Sequence, residues 1–271
     1  MAFETVKRNG LTLLRSTLLE DSAVAHGFST RPGGVSPAPW DSLNLDDRRE
    51  GEKENVRENF RRLCAALDTD VQKVVHSRQV HRDDIRPITA ADWGKGLWRP
   101  RDYESADGLI TDVPGTVLTV FSADCNVILL HDPRRRAIGA VHAGWRGTAL
   151  GIVYRAVAEM QRAYGTDPGD VRAAIGPAIG PCCFESDDDV PLALRRTLGQ
   201  EAEPYMTWNG RKWHIDLKAV NALWLRKAGV VQTDICGLCT YCQPALFWSH
   251  RRTGLARGEQ GALIALREEE A

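Results

Sequence analysis

The sequence predicts an α+β, or mixed α/β, fold: a single domain over residues 1–271 in which a mixed sheet containing a β-hairpin packs against helices. Three observations point there. Strand-like and helix-like segments are interspersed along the chain. Two adjacent apolar runs are joined by a four-residue turn. No linker, internal repeat or low-complexity tract divides the 271 residues, a length that buries a substantial core.

Each element has its own signal. The loop Arg31-Pro-Gly-Gly-Val-Ser-Pro-Ala-Pro39 is too rich in Gly and Pro for strand or helix. Residues 51–67 place Val56, Phe60, Leu63, Ala66 and Leu67 three and four apart, which predicts an amphipathic helix. From Gly108 to Ala143 the pattern becomes β: LITD, TVLTVFSAD, NVILLHD and AIGAVHA. Turn residues at Asp112-Val-Pro-Gly115 and Asp132-Pro-Arg-Arg-Arg136 bound these runs. Thr148 to Tyr164 predicts one helix, capped by Thr148, with Leu150, Val153, Val157, Met160 and Tyr164 on its apolar stripe. Residues 173–180, AAIGPAIG, predict a buried strand that ends in a Gly/Pro turn. Asp188 to Leu198 and Asp216 to Lys227 predict helices, and Gln260-GALIAL a last strand.

Composition excludes several classes. Lys and Arg number 35 against 36 Asp and Glu, so a net charge of -1 gives no electrostatic drive toward nucleic acid or anionic membrane. The longest apolar runs, such as Val127 to Leu130, are too short to cross a bilayer, and the N-terminal residues lack a secretory apolar core. The seven cysteines, at 64, 125, 182, 183, 236, 239 and 242, are odd in number and partly adjacent. Reduced thiols or metal ligands are expected from that pattern, in a cytoplasmic protein.

The hairpin has a chemical consequence. If NVILLHD pairs with AIGAVHA across Pro133-Arg-Arg-Arg136, Asp132 faces Ala137 and His142 faces Val127. Cys125, two residues before Val127, then shares a face with His142 as its diagonal neighbour. A slip of one residue would separate them. Read singly, Cys125 is a buried core thiol and His142 a strand-end histidine. Their setting favours chemistry: Ser122-Ala-Asp-Cys125 and His142-Ala-Gly-Trp-Arg-Gly147 both leave strands into small, turn-forming residues. Arg146, ahead of a helix starting at Thr148, suits an anion such as phosphate, with a surface salt bridge as its alternative role.

These segments carry a resemblance. The chain resembles the laccase-domain (multicopper polyphenol oxidase-like) family, whose members are regarded as purine nucleoside phosphorylases. The matching segments begin with His26-Gly-Phe-Ser-Thr-Arg31, Gly33-Gly-Val-Ser36, Ser42-Leu-Asn-Leu45 and Gln79-Val-His81. They continue with Ala106-Asp-Gly108, Ala123-Asp-Cys125, His142-Ala-Gly-Trp-Arg-Gly-Thr148 and Ile175-Gly-Pro177. Gly180-Pro-Cys-Cys-Phe-Glu185 and Phe247-Trp-Ser-His-Arg-Arg252 complete them. The resemblance runs from about residue 26 to the C-terminus, and implies Zn2+ on His81, Cys125 and His142. Spacing alone does not select His81 over His76.

Three protein ligands leave a fourth position open on tetrahedral zinc, the pattern of catalytic sites. The resemblance implies phosphorolysis of adenosine, inosine and 5′-methylthioadenosine, and deamination of adenosine, at the same site. Its small-molecule partners would be purine nucleosides and phosphate, with neither nucleic acid nor membrane involved. Arg31 and Arg146 are candidates for the phosphate, and His250, beside Arg251, for the substrate pocket. The usual zinc deaminase signature is absent, since no His-x-Glu occurs and Pro181-Cys182-Cys183 has the wrong spacing. Cys236, Cys239 and Cys242 form C-x-x-C-x-x-C, read first as reduced core thiols and secondly as a metal site completed by Cys182 or Cys183. His76, His131 and His214 are expected to be structural or exposed. Two rivals remain: a copper polyphenol oxidase, for which seven histidines are few, and a non-enzymatic zinc protein of cell-wall editing.

Overall fold

The computed structural model describes residues 3–268; the outermost residues of the expected 1–271 domain lie outside them. In chain order the strands are β1 (Phe3–Arg8), β2 (Leu11–Ser16), β3 (Val24–Ser29), β4 (Val74–His76), β5 (Ile85–Pro87), β6 (Gly108–Thr111), β7 (Val117–Ser122), β8 (Asn126–Asp132), β9 (Ala137–Ala143), β10 (Arg172–Ile175), β11 (Glu185–Ser186), β12 (Met206–Trp208), β13 (Trp213–Ile215), β14 (Gln232–Ile235) and β15 (Gln260–Leu266). The helices are α1 (Lys53–Leu67), α2 (Trp145–Leu150), α3 (Ile152–Tyr164), α4 (Asp189–Leu198), α5 (Leu217–Lys227) and α6 (His250–Thr253).

The fold is mixed α/β as expected, built on two large sheets rather than one. The first has the order β1-β2-β3-β15-β7-β4, the second β14-β10-β8-β9-β6-β5, and β11-β13-β12 form a small third sheet. Both large sheets are mixed: β4 runs parallel to β7, β5 to β6 and β10 to β14, while the other pairs are antiparallel. Alternation along each strand splits its side chains between two cores. Val127 and Leu129 of β8 meet Val120, Ala262 and Ile264 of the first sheet in a shared inner core. Ile128 and Leu130 point the other way, onto Val153, Val157 and Met160 of α3. Leu13, Leu263 and Ala265 of the first sheet likewise pack beneath Phe60 and Leu63 of α1. The layers are therefore helix, sheet, sheet, helix.

The expected hairpin has the expected register: Asp132 pairs with Ala137 and Val127 with His142. The helix over 51–67 forms as Lys53–Leu67, and its five marker residues are all buried. The helix expected from Thr148 to Tyr164 does not form as one piece. Gly151, at φ +75°, closes α2 and opens α3, so Leu150 turns out to solvent. Thr148 is not a cap; α2 begins at Trp145 after Gly144, and the Thr148 hydroxyl is buried against Asn221. Among the described residues no helix is long and apolar enough to cross a membrane.

Candidate metal centre

The site lies where strands of the two sheets end together. Cys125 sits in the turn between β7 and β8, and its Ser122 hydroxyl neighbour donates to the Cys125 carbonyl at 2.6 Å. His142 projects from β9 on the face of Val127, as the register requires. His81 comes from a loop with no regular structure, and its backbone is left-handed at φ +63°. Two anchors hold that loop. Gln79 bonds both the N–H and the carbonyl of Phe121 on β7, at 2.7 and 2.9 Å. The fully buried Asp107 accepts the backbone N–H groups of Val80, His81 and Arg82 at 2.9, 3.0 and 3.2 Å.

Asp107 also accepts from His142 Nδ1 at 2.8 Å. One carboxylate thus fixes the His81 loop and the His142 ring together. With Nδ1 occupied, His142 turns its Nε2 toward the other two side chains. Donor atoms of His81, Cys125 and His142 all lie within 4.8 Å of one another, with Cys125 Sγ 3.8 Å from His81 Nε2. The two imidazole rings are 4.9 Å apart and nearly perpendicular. Gly144 makes room: a Cβ there would come within 2.6 Å of His81 Cδ2 and 3.3 Å of Cys125 Sγ. The donor set, two imidazoles and a thiol, is that of a borderline-soft divalent ion, and the residues fit one.

Electrostatics agree with that use. Burial works against charge on Cys125, but His142 and His81 beside it draw the thiol below its ordinary range. Burial opposes charge on His142 too, and Cys125 and Asp107 outweigh it, holding the imidazole above its ordinary range. Burial likewise raises Asp107, and the His142 bond with the backbone N–H groups brings it down. The pocket is therefore biased toward thiolate before any cation arrives.

His81 and Cys125 open on a cavity of about 580 Å3, within the range of small-molecule sites, with His142 buried behind them. Trp145, Phe184 and Ile179 give it apolar walls, and Arg146, His250 and Arg251 supply polar groups. The Arg146 guanidinium stacks over Trp145 at 4.1 Å and has no ion-pair partner among the described residues. His250 also lines the cavity, bonded through Nδ1 to the Gly254 carbonyl. Arg31 does not line it. Its guanidinium is spent on Asp41 at 2.8 Å, the Pro244 carbonyl and the face of Trp248. His76 and His131 are buried, while His214 bonds Asn209 and the Pro181 carbonyl.

Asp107 and Asp124 are the polar residues that motif reading passed over, although they sit in the Ala106-Asp-Gly108 and Ala123-Asp-Cys125 segments. Asp124, at φ +96°, accepts from the Thr240 and Ser249 hydroxyls and from the Arg251 N–H at 2.6, 3.1 and 2.6 Å. It ties the N-terminus of α6, which carries His250 and Arg251, to the turn that holds Cys125. Cys236 is buried in the inner core, away from Cys239 and Cys242, so the C-x-x-C-x-x-C run does not converge as a unit.

A family model described as multi-copper polyphenol oxidoreductase laccase matches residues 25–267. A purine nucleoside phosphorylase, YlmD, of Geobacillus stearothermophilus is 40% identical over 250 residues, 90% of each chain. The purine nucleoside phosphorylase LACC1 of Mus musculus is 32% identical over 96% of this chain, which spans 60% of that longer protein. The crystal structure of YlmD from Geobacillus stearothermophilus superposes with a TM-score of 0.90 at 36% identity, covering 98% of this chain and 99% of that one. A Bacillus licheniformis protein, YfiH, superposes with a TM-score of 0.89 at 35% identity, with 98% and 99% covered.

Proposed function

The chain belongs to the family described as multi-copper polyphenol oxidoreductase laccase, and on that premise we propose that it is a zinc-dependent purine nucleoside phosphorylase. Its substrates in this reading are adenosine, inosine and 5′-methylthioadenosine, with adenosine deamination at the same site. Its relatives, named purine nucleoside phosphorylases, support a nucleoside-processing enzyme. The observation that carries the reading is the juxtaposition of three convergent donors, open on one side, with an unpaired arginine in a cavity of nucleoside size. His81, Cys125 and His142 would hold the ion.

Zinc held by these three residues would supply Lewis-acid chemistry and would lower the pKa of a bound water to about 7. The chain's own residues do the rest. Arg146, its guanidinium free of carboxylates, binds phosphate at the cavity wall. Trp145 and Phe184 offer flat apolar surface to a purine, and His250 a ring nitrogen for a hydrogen bond. Asp107 holds the His142 tautomer and the His81 loop. Arg31 has no part in this reading. A copper oxidase would need further histidine clusters; among the described residues the one group containing histidines is this trio. The reading treats 1–271 as one domain, supported by β15 lying between β3 and β7 at the centre of the first sheet. It places the enzyme in the cytoplasm, in keeping with seven free thiols.

Purified protein given adenosine and phosphate should release adenine and ribose 1-phosphate. Cys125→Ala should abolish this, and Arg146→Ala should raise the phosphate KM roughly 10- to 100-fold, the worth of a charge-assisted hydrogen bond. Turnover of phenols alone, dependent on copper and oxygen, would overturn the reading, as would zinc retained undiminished by His142→Ala.

A further inference from the structure

A second cluster includes Cys182 and Cys183, which immediately precede the cavity-lining residues Phe184 and Glu185, and no step of the proposed reaction uses it. Cys182 and Cys183 follow the turn after β10; Cys239 and Cys242 lie in the loop between β14 and α6. A parallel bridge between Ala178 and Cys239 brings these distant segments side by side. The four sulfurs all lie within 4.8 Å of one another, with Cys182 to Cys242 at 3.8 Å and Cys183 to Cys242 at 3.4 Å. A tetrahedral ion with bonds of about 2.3 Å sets its sulfurs roughly 3.8 Å apart. We propose that these four cysteines form a structural zinc site, distinct from the His81–Cys125–His142 centre.

The backbone supports this assignment. The Gly180 N–H donates to Cys239 Sγ at 3.2 Å, and the Cys242 N–H points at the same sulfur from the other end of Cys239-Thr-Tyr-Cys242. Amide groups aimed at the first sulfur of a C-x-x-C turn stabilise a thiolate there. Gly180 suits the crowding, since a Cβ at that position would sit 3.4 Å from Cys182 Sγ and 3.5 Å from Cys239 Cβ. The chain turns sharply over 180–184, with Cys183 and Phe184 N–H both bonded to the Gly180 carbonyl, and this lets adjacent cysteines face one point.

The alternatives fit less well. Cys182 and Cys242 are exposed, so they do not serve as core filling. All four are free thiols, and the Cys182–Cys242 and Cys183–Cys242 sulfurs stand 3.8 and 3.4 Å apart, against about 2.05 Å in a disulfide. As thiolates without a cation they would repel one another. A closed tetrathiolate shell leaves no open position, which assigns the ion a structural role.

Its purpose follows from what it staples. Phe184 and Glu185 on one segment and His250 and Arg251 on the other line the cavity, and Arg251 donates to the Glu185 carbonyl at 2.8 Å. Zinc on the four sulfurs would lock this wall, making it a positioning element for substrate rather than a catalytic one.

The test counts metal and thiols, so its outcome does not depend on the identity of the substrate. Wild-type protein purified with reductant should carry two equivalents of zinc by elemental analysis. Cys182→Ser, Cys242→Ser and His142→Ala should each remove one, and Cys242→Ser combined with His142→Ala should remove both. In the native wild type Cys182 and Cys242, although exposed, should resist alkylation until a strong chelator is added; this readout holds even if the variants fold poorly. Cys242→Ser should raise KM for the nucleoside with a smaller change in kcat. A single equivalent lost entirely in His142→Ala would overturn the proposal. So would alkylation of Cys182 and Cys242 at chelator-independent rates, an intact mass showing disulfides in the reduced preparation, or iron in place of zinc.

Discussion

At the scale of single residues, Asp107 couples parts of the site that are far apart in sequence. Its buried carboxylate receives one imidazole and three backbone N–H groups, so the His81 loop and the β9 end cannot move independently. Such partners govern ligand orientation and basicity, and their loss commonly costs 10- to 100-fold in metal affinity. Asp107→Asn keeps the shape but removes the charge and one acceptor. It should weaken zinc binding by roughly that factor in a competition titration against a chromophoric chelator. Unchanged affinity would show that the loop is held by Gln79 alone. The identity of Asp107 is plain in the sequence, but its role is not. An Asp before a glycine at a strand start reads as turn chemistry until the fold brings residues 80–82 against it.

At the scale of elements, legibility depended on how local the signal was. The β8–β9 hairpin was readable to the residue because a four-residue turn leaves little freedom in register, and Cys125 and His142 came with it. The break at Gly151 was not, because one glycine inside an apolar stripe resembles a tolerated substitution. In the structure it takes a conformation closed to most side chains, at φ +75°, and a Cβ would press on the Trp224 ring at 3.2 Å. Trp224 in turn donates from Nε1 to the Thr148 carbonyl at 2.8 Å, fastening α2 to α5. Gly151→Ala should therefore destabilise the fold by about 1–2 kcal/mol, the cost of a left-handed alanine. Denaturant unfolding at constant m would measure it, and a variant as stable as wild type would mean that α2 and α3 can fuse into the single helix expected from the pattern.

At the scale of the whole molecule, the division of strands between two sheets was invisible in the sequence, since it depends on contacts of long range. His81 was out of reach of spacing for the same reason; the cysteine run suggested a site completed by Cys182 or Cys183, but not that both would join Cys239 and Cys242 while Cys236 stays apart. The same packing buries three histidines outside the metal centre. Burial, the largest effect in each case, holds His26 and His76 down to about 3 and His131 to about 4. His26 keeps one bond, accepting from the Ser16 N–H at 3.1 Å, while neither ring nitrogen of His131 has a hydrogen-bond partner. In the unfolded chain each would titrate near 6.5, so between about pH 6.5 and pH 4 the unfolded state binds more protons. Their contribution to stability is full above pH 6.5 and is lost as pH falls toward the folded values. Each adds at most one proton, about 1.4 kcal/mol per pH unit, to the slope. His131→Gln should lower overall stability little or raise it. It should also flatten the dependence of unfolding free energy on pH between 6 and 5 by close to one proton. Comparing metal-free wild type and variant at each pH removes the contribution of the zinc ligands, which titrate in both. Equal slopes in the two proteins would mean that His131 is protonated in the folded state, with Asp21 and Asp132 nearby neutralising it.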